Sequence, residues 1–463
     1  MSTTQTTHTA PHPEPAALTH GLKQRHLSMI ALGGVIGAGL FVGSGAGIAA
    51  AGPSIVVAFA ISGLLVMMIM RMLGEMAAAR PASGSFSVHA EKEIAPWAGF
   101  TAGWMYWVLL CVGVAVEAIG AAGIVHGWLP AVPAWMWVAV FMAFFCTNNL
   151  AAVRNFGEFE FWFAAVKVAA ISAFLLLGVL AVFGVVGPGA PGLGNLTGDG
   201  GFFPHGASGL VTGLLASVFA YGGLETVTIA AAESADPVRS VGRAVRTAMW
   251  RIAVFYVGSM AVIVTLLPWH DPSVLGGPYA AVLNHLGIHA AAQIMNVVVL
   301  IALLSAMNAN IYGSSRMAFS LVGRGLGPKG LAKVSGGVPR RAVLASSSFG
   351  FVAVLLNFWW PDTVFHWLLN MVGAAVLVVW GFTCVAQLRM RARLEREEPA
   401  RLSVRMWGFP WLTWATLVAV ATILALMLRD QADRVQLAAT AALAVALSAA
   451  GWLRQHRSGG AAA

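Results

Sequence analysis

The feature that most constrains this chain is a series of long apolar segments. A segment of about 20 apolar residues is long enough to cross the roughly 30 Å hydrocarbon core of a membrane as a helix. Twelve such segments, here called spans 1 to 12, are predicted at residues 25–50, 53–79, 97–127, 134–151, 158–186, 207–234, 248–268, 289–321, 341–360, 363–388, 407–428 and 433–453. Because a helix satisfies its own backbone hydrogen bonds in lipid, we expect an all-α integral membrane protein with twelve transmembrane helices.

Charged residues are too few for a soluble protein of this length. They make up 10% of the 463 residues, against 59% hydrophobic residues, whereas soluble domains carry about 25% charged residues. This composition excludes a soluble enzyme and a disordered chain. The net charge of +9 does not indicate nucleic-acid binding, because the basic residues lie in short clusters between the spans. No metal or cofactor motif is present, so neither is expected.

The distribution of basic residues predicts the orientation in the membrane. If the N-terminus is cytoplasmic, the outer loops hold only Arg429 and Arg434 among the 27 basic residues. The positive-inside rule strongly favours this arrangement, and an even number of spans then places both termini in the cytoplasm. We expect a disordered tail at 1–20, a twelve-helix domain at 21–453 and a cytoplasmic tail at 454–463.

Two spans in corresponding positions carry glycines where a membrane helix is expected to break. Span 1 reads ALGGVIGAGLFVGSG and span 6 reads SVFAYGGLETV. Many transporters bind substrate where the first helices of two inverted repeats are interrupted in this way. The repeats here are predicted at about 25–186 and 207–388, followed by two further helices at about 407–453. Close helix packing is the alternative use of such glycines, but the matched positions favour two breaks.

The expected chemistry of the two breaks suits a zwitterion. Freed N–H groups of span 1 around Gly37, Ala38 and Gly39 are predicted to hold a carboxylate. Freed carbonyl groups of span 6 near Phe219 and Ala220 are predicted to hold an ammonium group. Such backbone groups are costly in a membrane unless a ligand or water satisfies them.

Lys167 is predicted to lie near the middle of the membrane. It follows Glu158 by nine residues, which is about 13–14 Å along a helix. A lysine can extend toward the membrane surface, but this depth favours a functional role, in which the ammonium group replaces a bound cation and releases a proton during transport.

Two glutamates also lie within predicted spans, and each allows two interpretations. Glu225 follows the Gly222-Gly223 break, where it either complements the helix dipole or relays a proton. Glu117, in span 3, is either a structural hydrogen-bond acceptor or a pocket residue that faces an ammonium group.

Several long stretches resemble a known family. They include LKQRHLSMIALGGVIGAGLFVGSG at 22–45, FGEFEFWFAAVKV at 156–168 and AAQIMNVVVLIALLSAMNANIYGSSRMAFSL at 291–321. They resemble the amino acid transporter family of the amino acid–polyamine–organocation superfamily, and within it the bacterial GABA permeases. The resemblance covers nearly the whole chain. It implies a LeuT-like fold of five plus five helices with two further helices.

The resemblance also implies a site and a driving ion. It implies proton coupling, with Lys167 in the place of a sodium ion near the Gly33 carbonyl and the Ser305 hydroxyl. It implies that substrate is held by the backbone of two segments, namely Val35, Ile36, Gly37, Ala38 and Gly39 of span 1, and Phe219, Ala220, Tyr221, Gly222 and Gly223 of span 6.

The sequence therefore predicts a proton symporter that imports a small amino acid across a bacterial cell membrane. GABA is the first candidate, because its distant amine needs an acceptor away from the break, and Glu117 is the available carboxylate. The alternative is a neutral or aromatic α-amino acid such as alanine, proline or phenylalanine. A passive channel needs neither paired breaks nor a lysine at mid-membrane, and an enzyme needs a converging catalytic set that is not visible. The expected partners are the amino acid, a proton and the lipid bilayer, with no nucleic acid.

Overall fold

The computed structural model describes residues 36–80, 85–151, 156–190, 192–224, 236–335, 337–361, 363–429 and 431–459. The N-terminal tail, the first part of span 1 and the second part of span 6 lie outside these ranges. Within them the repeating structure is helical, and one isolated β-bridge joins Ser335 to Val338.

The described helices account for all twelve predicted spans. Nine helical stretches are long and apolar enough to cross a membrane, and two further apolar helices are shorter. The first of the nine, Gly39–Ala79, contains spans 1 and 2, which meet at a short turn of 3₁₀-helix at Gly52–Ser54. The twelve spans lie at 39–51, Ile55–Ala79, Pro96–Trp128, Ala134–Ala151, Phe156–Val182, Gly206–Tyr221, 237–266, His289–Gly323, Arg340–Trp359, Val364–Glu397, Trp411–Leu426 and Gln431–Gly459.

Spans 7, 10 and 12 are longer than predicted, and short helices lie between the predicted spans. Span 7 begins at Pro237, and span 10 continues to Glu397. The extensions of spans 7 and 10 are polar and rich in arginine. Arginine favours a helix, but a search for apolar segments does not detect such residues. Among the missed helices are Ser85–Glu93 between spans 2 and 3, and Pro278–His285 between spans 7 and 8.

Span 3 forms the centre of the molecule. In its most apolar window 78% of the residues are buried, against 17% for span 12. Span 3 packs against spans 4, 8, 9, 10 and 12. A helix enclosed in this way can hold a polar side chain against its neighbours, away from lipid.

Ion pairs join several helices at one end of the molecule, which we call the basic end. There the helix Ser85–Glu93 is fixed to the end of span 8 by Arg324, whose Nη1 lies 2.5 Å from Glu91 Oε2. The extension of span 10 binds the same helix through Arg393, whose Nη2 lies 2.5 Å from Glu93 Oε1. Span 2 runs toward the basic end, whereas span 1 runs from its break toward the opposite end.

Candidate functional site

The described part of span 1 begins at a break. Ile36 and Gly37 are not helical, and a π-helical turn starts at Gly39. The N–H groups of Leu40 and Phe41 both donate to the Gly37 carbonyl, each at 3.2 Å. This arrangement makes Ala38 an N-terminal residue of the described helix of span 1, which begins at the position where the break is predicted.

Span 6 breaks at its glycine pair. The helix ends at Tyr221, and the Gly222 N–H donates to the Phe219 carbonyl at 3.0 Å. Gly223 has φ +95°, in the left-handed region that glycine adopts without steric cost. The described helix of span 6 therefore ends at the position where the second break is predicted.

The two breaks are in direct contact. A Cβ atom placed on Gly39 would lie 2.5 Å from Ala220 Cα and 2.8 Å from Phe219 Cδ1. Both distances are too short for any side chain at position 39. The missing side chain is thus what allows span 1 to approach the end of the span 6 helix.

Glu117 lies at the span 1 break. Its side chain is 6% exposed, and both carboxylate oxygens accept from the Ala38 N–H, at 3.0 and 3.2 Å. A Cβ atom on Gly37 would overlap Glu117 Oε1 and would lie 3.0 Å from Ala306 Cβ. Glu117 is therefore next to the break and not at a distance from it, and it occupies one N–H group that the sequence analysis assigned to a substrate carboxylate.

Lys167 lies in a buried polar chain. Its Nζ donates to Ser305 Oγ at 3.0 Å, and Ser305 Oγ donates in turn to Glu160 Oε2 at 2.9 Å. All three side chains are at most 1% exposed. Proton coupling through Lys167 stays a prediction, but the lysine does not extend to the membrane surface.

Glu160 is the site residue that sequence reasoning missed. It lies two residues inside the predicted start of span 5, and the sequence does not single it out as a residue within the membrane. A signal was present, because Glu160 precedes Lys167 by seven residues and two helical turns place such residues on the same face. Ser305 joins Lys167 to Glu160, and Glu117 lies at the adjacent span 1 break. We call these three ionisable residues, Glu117, Glu160 and Lys167, the central cluster.

The span 6 residues have different surroundings. Phe219 and Ala220 contact span 1, whereas Tyr221 is 0% exposed and its hydroxyl donates to the Phe59 carbonyl of span 2 at 2.9 Å. Tyr221 therefore anchors the end of the helix. Three predicted site residues lie outside the described residues, namely Gly33, Val35 and Glu225.

Three aromatic rings cover the break on the side opposite the basic end. The ring centroids of Phe41 and Tyr279 are 5.0 Å apart, and those of Phe174 and Tyr279 are 4.7 Å apart. Each side chain is 1% exposed. Tyr279 belongs to the missed helix Pro278–His285, which thereby closes that approach to the site.

Comparisons with known proteins agree with this architecture. Residues 26–450 match the family described as amino acid permease. The chain is 47% identical to the gamma-aminobutyric acid permease of Bacillus subtilis (strain 168), over 89% of this chain and 88% of that protein. It is also 47% identical to the aromatic amino acid transport protein AroP of Corynebacterium glutamicum, over 90% and 91%. The gamma-aminobutyric acid permease of Escherichia coli (strain K12) is 42% identical over 94% of each chain.

One solved structure supports the fold. A crystal structure of a manganese transporter from Eremococcus coleocola matches with a TM-score of 0.54, over 92% of each chain. The two sequences are 13% identical, so the likeness concerns the fold alone.

Proposed function

This chain belongs to the amino acid permease family, and from that premise we propose that it imports GABA together with a proton. Membership makes it an amino acid transporter of the amino acid–polyamine–organocation superfamily and not an enzyme. It has the LeuT-like fold of that superfamily and is a multi-pass protein of the bacterial plasma membrane. The substrate, the driving ion, the orientation and the roles of single residues are proposals.

The observation that carries the proposal is the buried carboxylate at the span 1 break. Glu117 accepts from the Ala38 N–H and leaves a negative group facing the point where spans 1 and 6 meet. An ammonium group is the ligand that such a carboxylate attracts. We assign the substrate ammonium to Glu117 and its carboxylate to the neighbouring N–H groups at the start of the span 1 helix.

The choice of GABA is supported by the named relatives more than by geometry. Two GABA permeases match over most of the chain. The second candidate, an α-amino acid, is favoured by the 3.0 Å separation of Glu117 and Ala38, because a compact zwitterion spans only a short distance between the acceptor of its ammonium group and the donors of its carboxylate. The aromatic amino acid transporter among the relatives supports this candidate too.

Proton coupling is supported by the central cluster. The Lys167 ammonium group lies against Ser305, where it excludes a sodium ion by charge repulsion. Loss of its proton would leave two carboxylates without a buried counter-charge, so we propose that proton binding and release are linked to substrate binding.

Orientation is proposed from charge. The basic end carries the arginines of the span 2, span 8 and span 10 termini, so we place it in the cytoplasm. The aromatic cover of Phe41, Phe174 and Tyr279 then lies on the outer side of the site.

Uptake into proteoliposomes tests the proposal. We expect accumulation of labelled GABA above equilibrium when the lumen is alkaline, no requirement for sodium, and loss of accumulation with a protonophore. Unlabelled GABA should compete better than alanine, proline or phenylalanine. Competition by phenylalanine or alanine but not GABA would establish the second candidate, and sodium-dependent uptake that ignores the protonophore would overturn proton coupling.

A further inference from the structure

The face of span 8 that carries Ser305 continues toward the basic end. Arg316 follows Ser305 by eleven residues, which places it about 20° from Ser305 around the helix and about 16 Å further along it. Tyr312 follows Ser305 by seven residues and lies about 20° on the other side. We call these three residues the span 8 stripe.

The span 8 stripe is buried at Ser305 and partly exposed to solvent further along the helix. Ser305 is 1% exposed, whereas Ala309, Tyr312 and Arg316 are half-buried. Because Ser305 contacts Lys167 of span 5, the stripe faces the interior of the protein. An arginine exposed to hydrocarbon is costly, so the opening is best explained as a water-filled vestibule that leads from the site to the basic end.

Arg316 lies over the ring of Tyr312, which precedes it by one helical turn. Its guanidinium carbon lies 3.2 Å from the centroid of the Tyr312 ring, and its Nη1 donates to the Tyr312 carbonyl at 3.4 Å. Among the residues that the structure describes, no carboxylate lies within ion-pair distance of Arg316. A guanidinium group whose carbon lies over an aromatic ring keeps N–H donors at its edge, and two such donors can bind a carboxylate.

We propose that Arg316 and Tyr312 form a second binding station for the carboxylate of the substrate, on the path between the central site and the basic end. This inference rests on the proposed function and extends it, because it assigns a place where the amino acid is held after it leaves Glu117. A phospholipid phosphate has the same binding chemistry, and the test separates the two anions.

Sided inhibition tests the station. The probe is glutarate, which carries carboxylates but no amine, and the assay is exchange of labelled GABA, or of labelled phenylalanine if GABA is not transported. Glutarate is added at the basic face in inside-out vesicles and at the opposite face in right-side-out vesicles. We expect wild-type protein to be inhibited at roughly tenfold lower glutarate concentration from the basic face. A hydrogen bond to a charged group contributes enough binding free energy for about this difference in affinity.

Three variants test whether Arg316 causes the difference in inhibition between the two faces. Arg316→Gln should remove the difference between the faces, and Arg316→Lys should retain part of it. Arg71→Gln is the matched control, because Arg71 also lies over an aromatic ring, that of Trp407 at 5.1 Å, but outside the stripe. If Arg316→Gln does not fold, Tyr312→Leu takes its place and should weaken the inhibition from the basic face alone.

Each result decides the proposal. Equal inhibition from both faces in wild-type protein, or an unchanged difference in Arg316→Gln, overturns it. Reconstitution in phosphatidylcholine with and without phosphatidylglycerol should leave glutarate inhibition unchanged. If phosphatidylglycerol abolishes it, the anion at Arg316 is a lipid phosphate and the substrate station is wrong. Transport by wild-type protein in the same vesicles tests the proposed function separately.

Discussion

At the scale of single residues, Lys167 and Glu160 form the pair to which we assign proton coupling. The Ser305 hydroxyl joins them, at 3.0 Å from Lys167 Nζ and 2.9 Å from Glu160 Oε2. Removing one member of a buried charged pair leaves the other without compensation, at a cost of about 3 kcal/mol or more. Substitution at either position should therefore weaken proton coupling more than it weakens substrate binding.

We predict that Lys167→Ala abolishes accumulation of substrate but retains exchange. Exchange of internal for external substrate needs no net proton movement, whereas accumulation does. The measurement compares uptake driven by a proton gradient with counterflow in the same proteoliposomes. Ser172→Ala, at an exposed position of the same span, is the control and should do both. Accumulation by Lys167→Ala at the wild-type level would rule out its role.

We predict that Glu117→Gln weakens substrate binding by about 3 kcal/mol, or roughly 100-fold, because the substrate ammonium loses its charged partner. The glutamine oxygen can still accept from the Ala38 N–H, so the break should remain folded. Binding is measured by competition, and folded protein by size-exclusion chromatography. If Glu117 is a packing acceptor alone, the variant will lose folded protein with no change of substrate preference.

The sequence singled out Glu117 and Lys167, and the resemblance placed Ser305 beside Lys167. Neither Glu160 nor the contact of Glu117 with Ala38 was predicted. Glu117 and Lys167 stood out because an ionisable residue inside an apolar segment is rare. Glu160 did not stand out, because the start of a span can be predicted only to within a few residues. A shift of one helical turn there decides whether a glutamate lies in water or inside the protein. The contact between Glu117 and Ala38 joins residues 79 positions apart, which no local pattern encodes.

At the scale of helices, the contact between the two breaks determines which substitutions span 1 tolerates. Gly39 lies against the backbone of Ala220, and a backbone atom cannot move aside as a flexible side chain does. Span 1 and span 6 must therefore separate if position 39 gains a side chain.

We predict that Gly39→Val removes substrate binding while folded protein remains in the membrane. The matched control is Gly123→Val in span 3, because a Cβ atom at Gly123 would meet nothing within 4 Å. Equilibrium binding of labelled substrate is the measurement, with Gly39→Ala as the milder change. Near-normal affinity of Gly39→Val would show that the two breaks need not touch.

The broken helices could be predicted because glycine pairs in matching positions are a sequence signal. The helix Ser85–Glu93 could not, because it is short and polar, and contacts with Arg324 and Arg393 hold it in place. Tertiary ion pairs of this kind leave no periodic pattern in the chain. The helix Pro278–His285, which covers the site through Tyr279, is apolar and buried, but its eight residues are too few to be recognised as a membrane span.

At the scale of the whole molecule, the three cysteines make the proposed orientation measurable. Cys111, Cys146 and Cys384 are all buried, so wild-type protein should react little with a membrane-impermeant maleimide. We predict that Ser335→Cys, exposed at the basic end, is labelled only in opened cells. Thr197→Cys, exposed at the opposite end, should be labelled in intact cells. The reverse pattern would invert the topology.

The proposed proton coupling also predicts how the transporter responds to membrane voltage. Glu117, Glu160 and Lys167 stay with the protein, and a zwitterionic amino acid brings no net charge, so under this proposal the co-transported proton is the charge moved in each cycle. Uptake should therefore generate an inward electric current. A potential of 100 mV contributes about 2.3 kcal/mol for each charge moved, so voltage alone would sustain a roughly 50-fold concentration of substrate inside the cell, even where the pH on the two sides is equal.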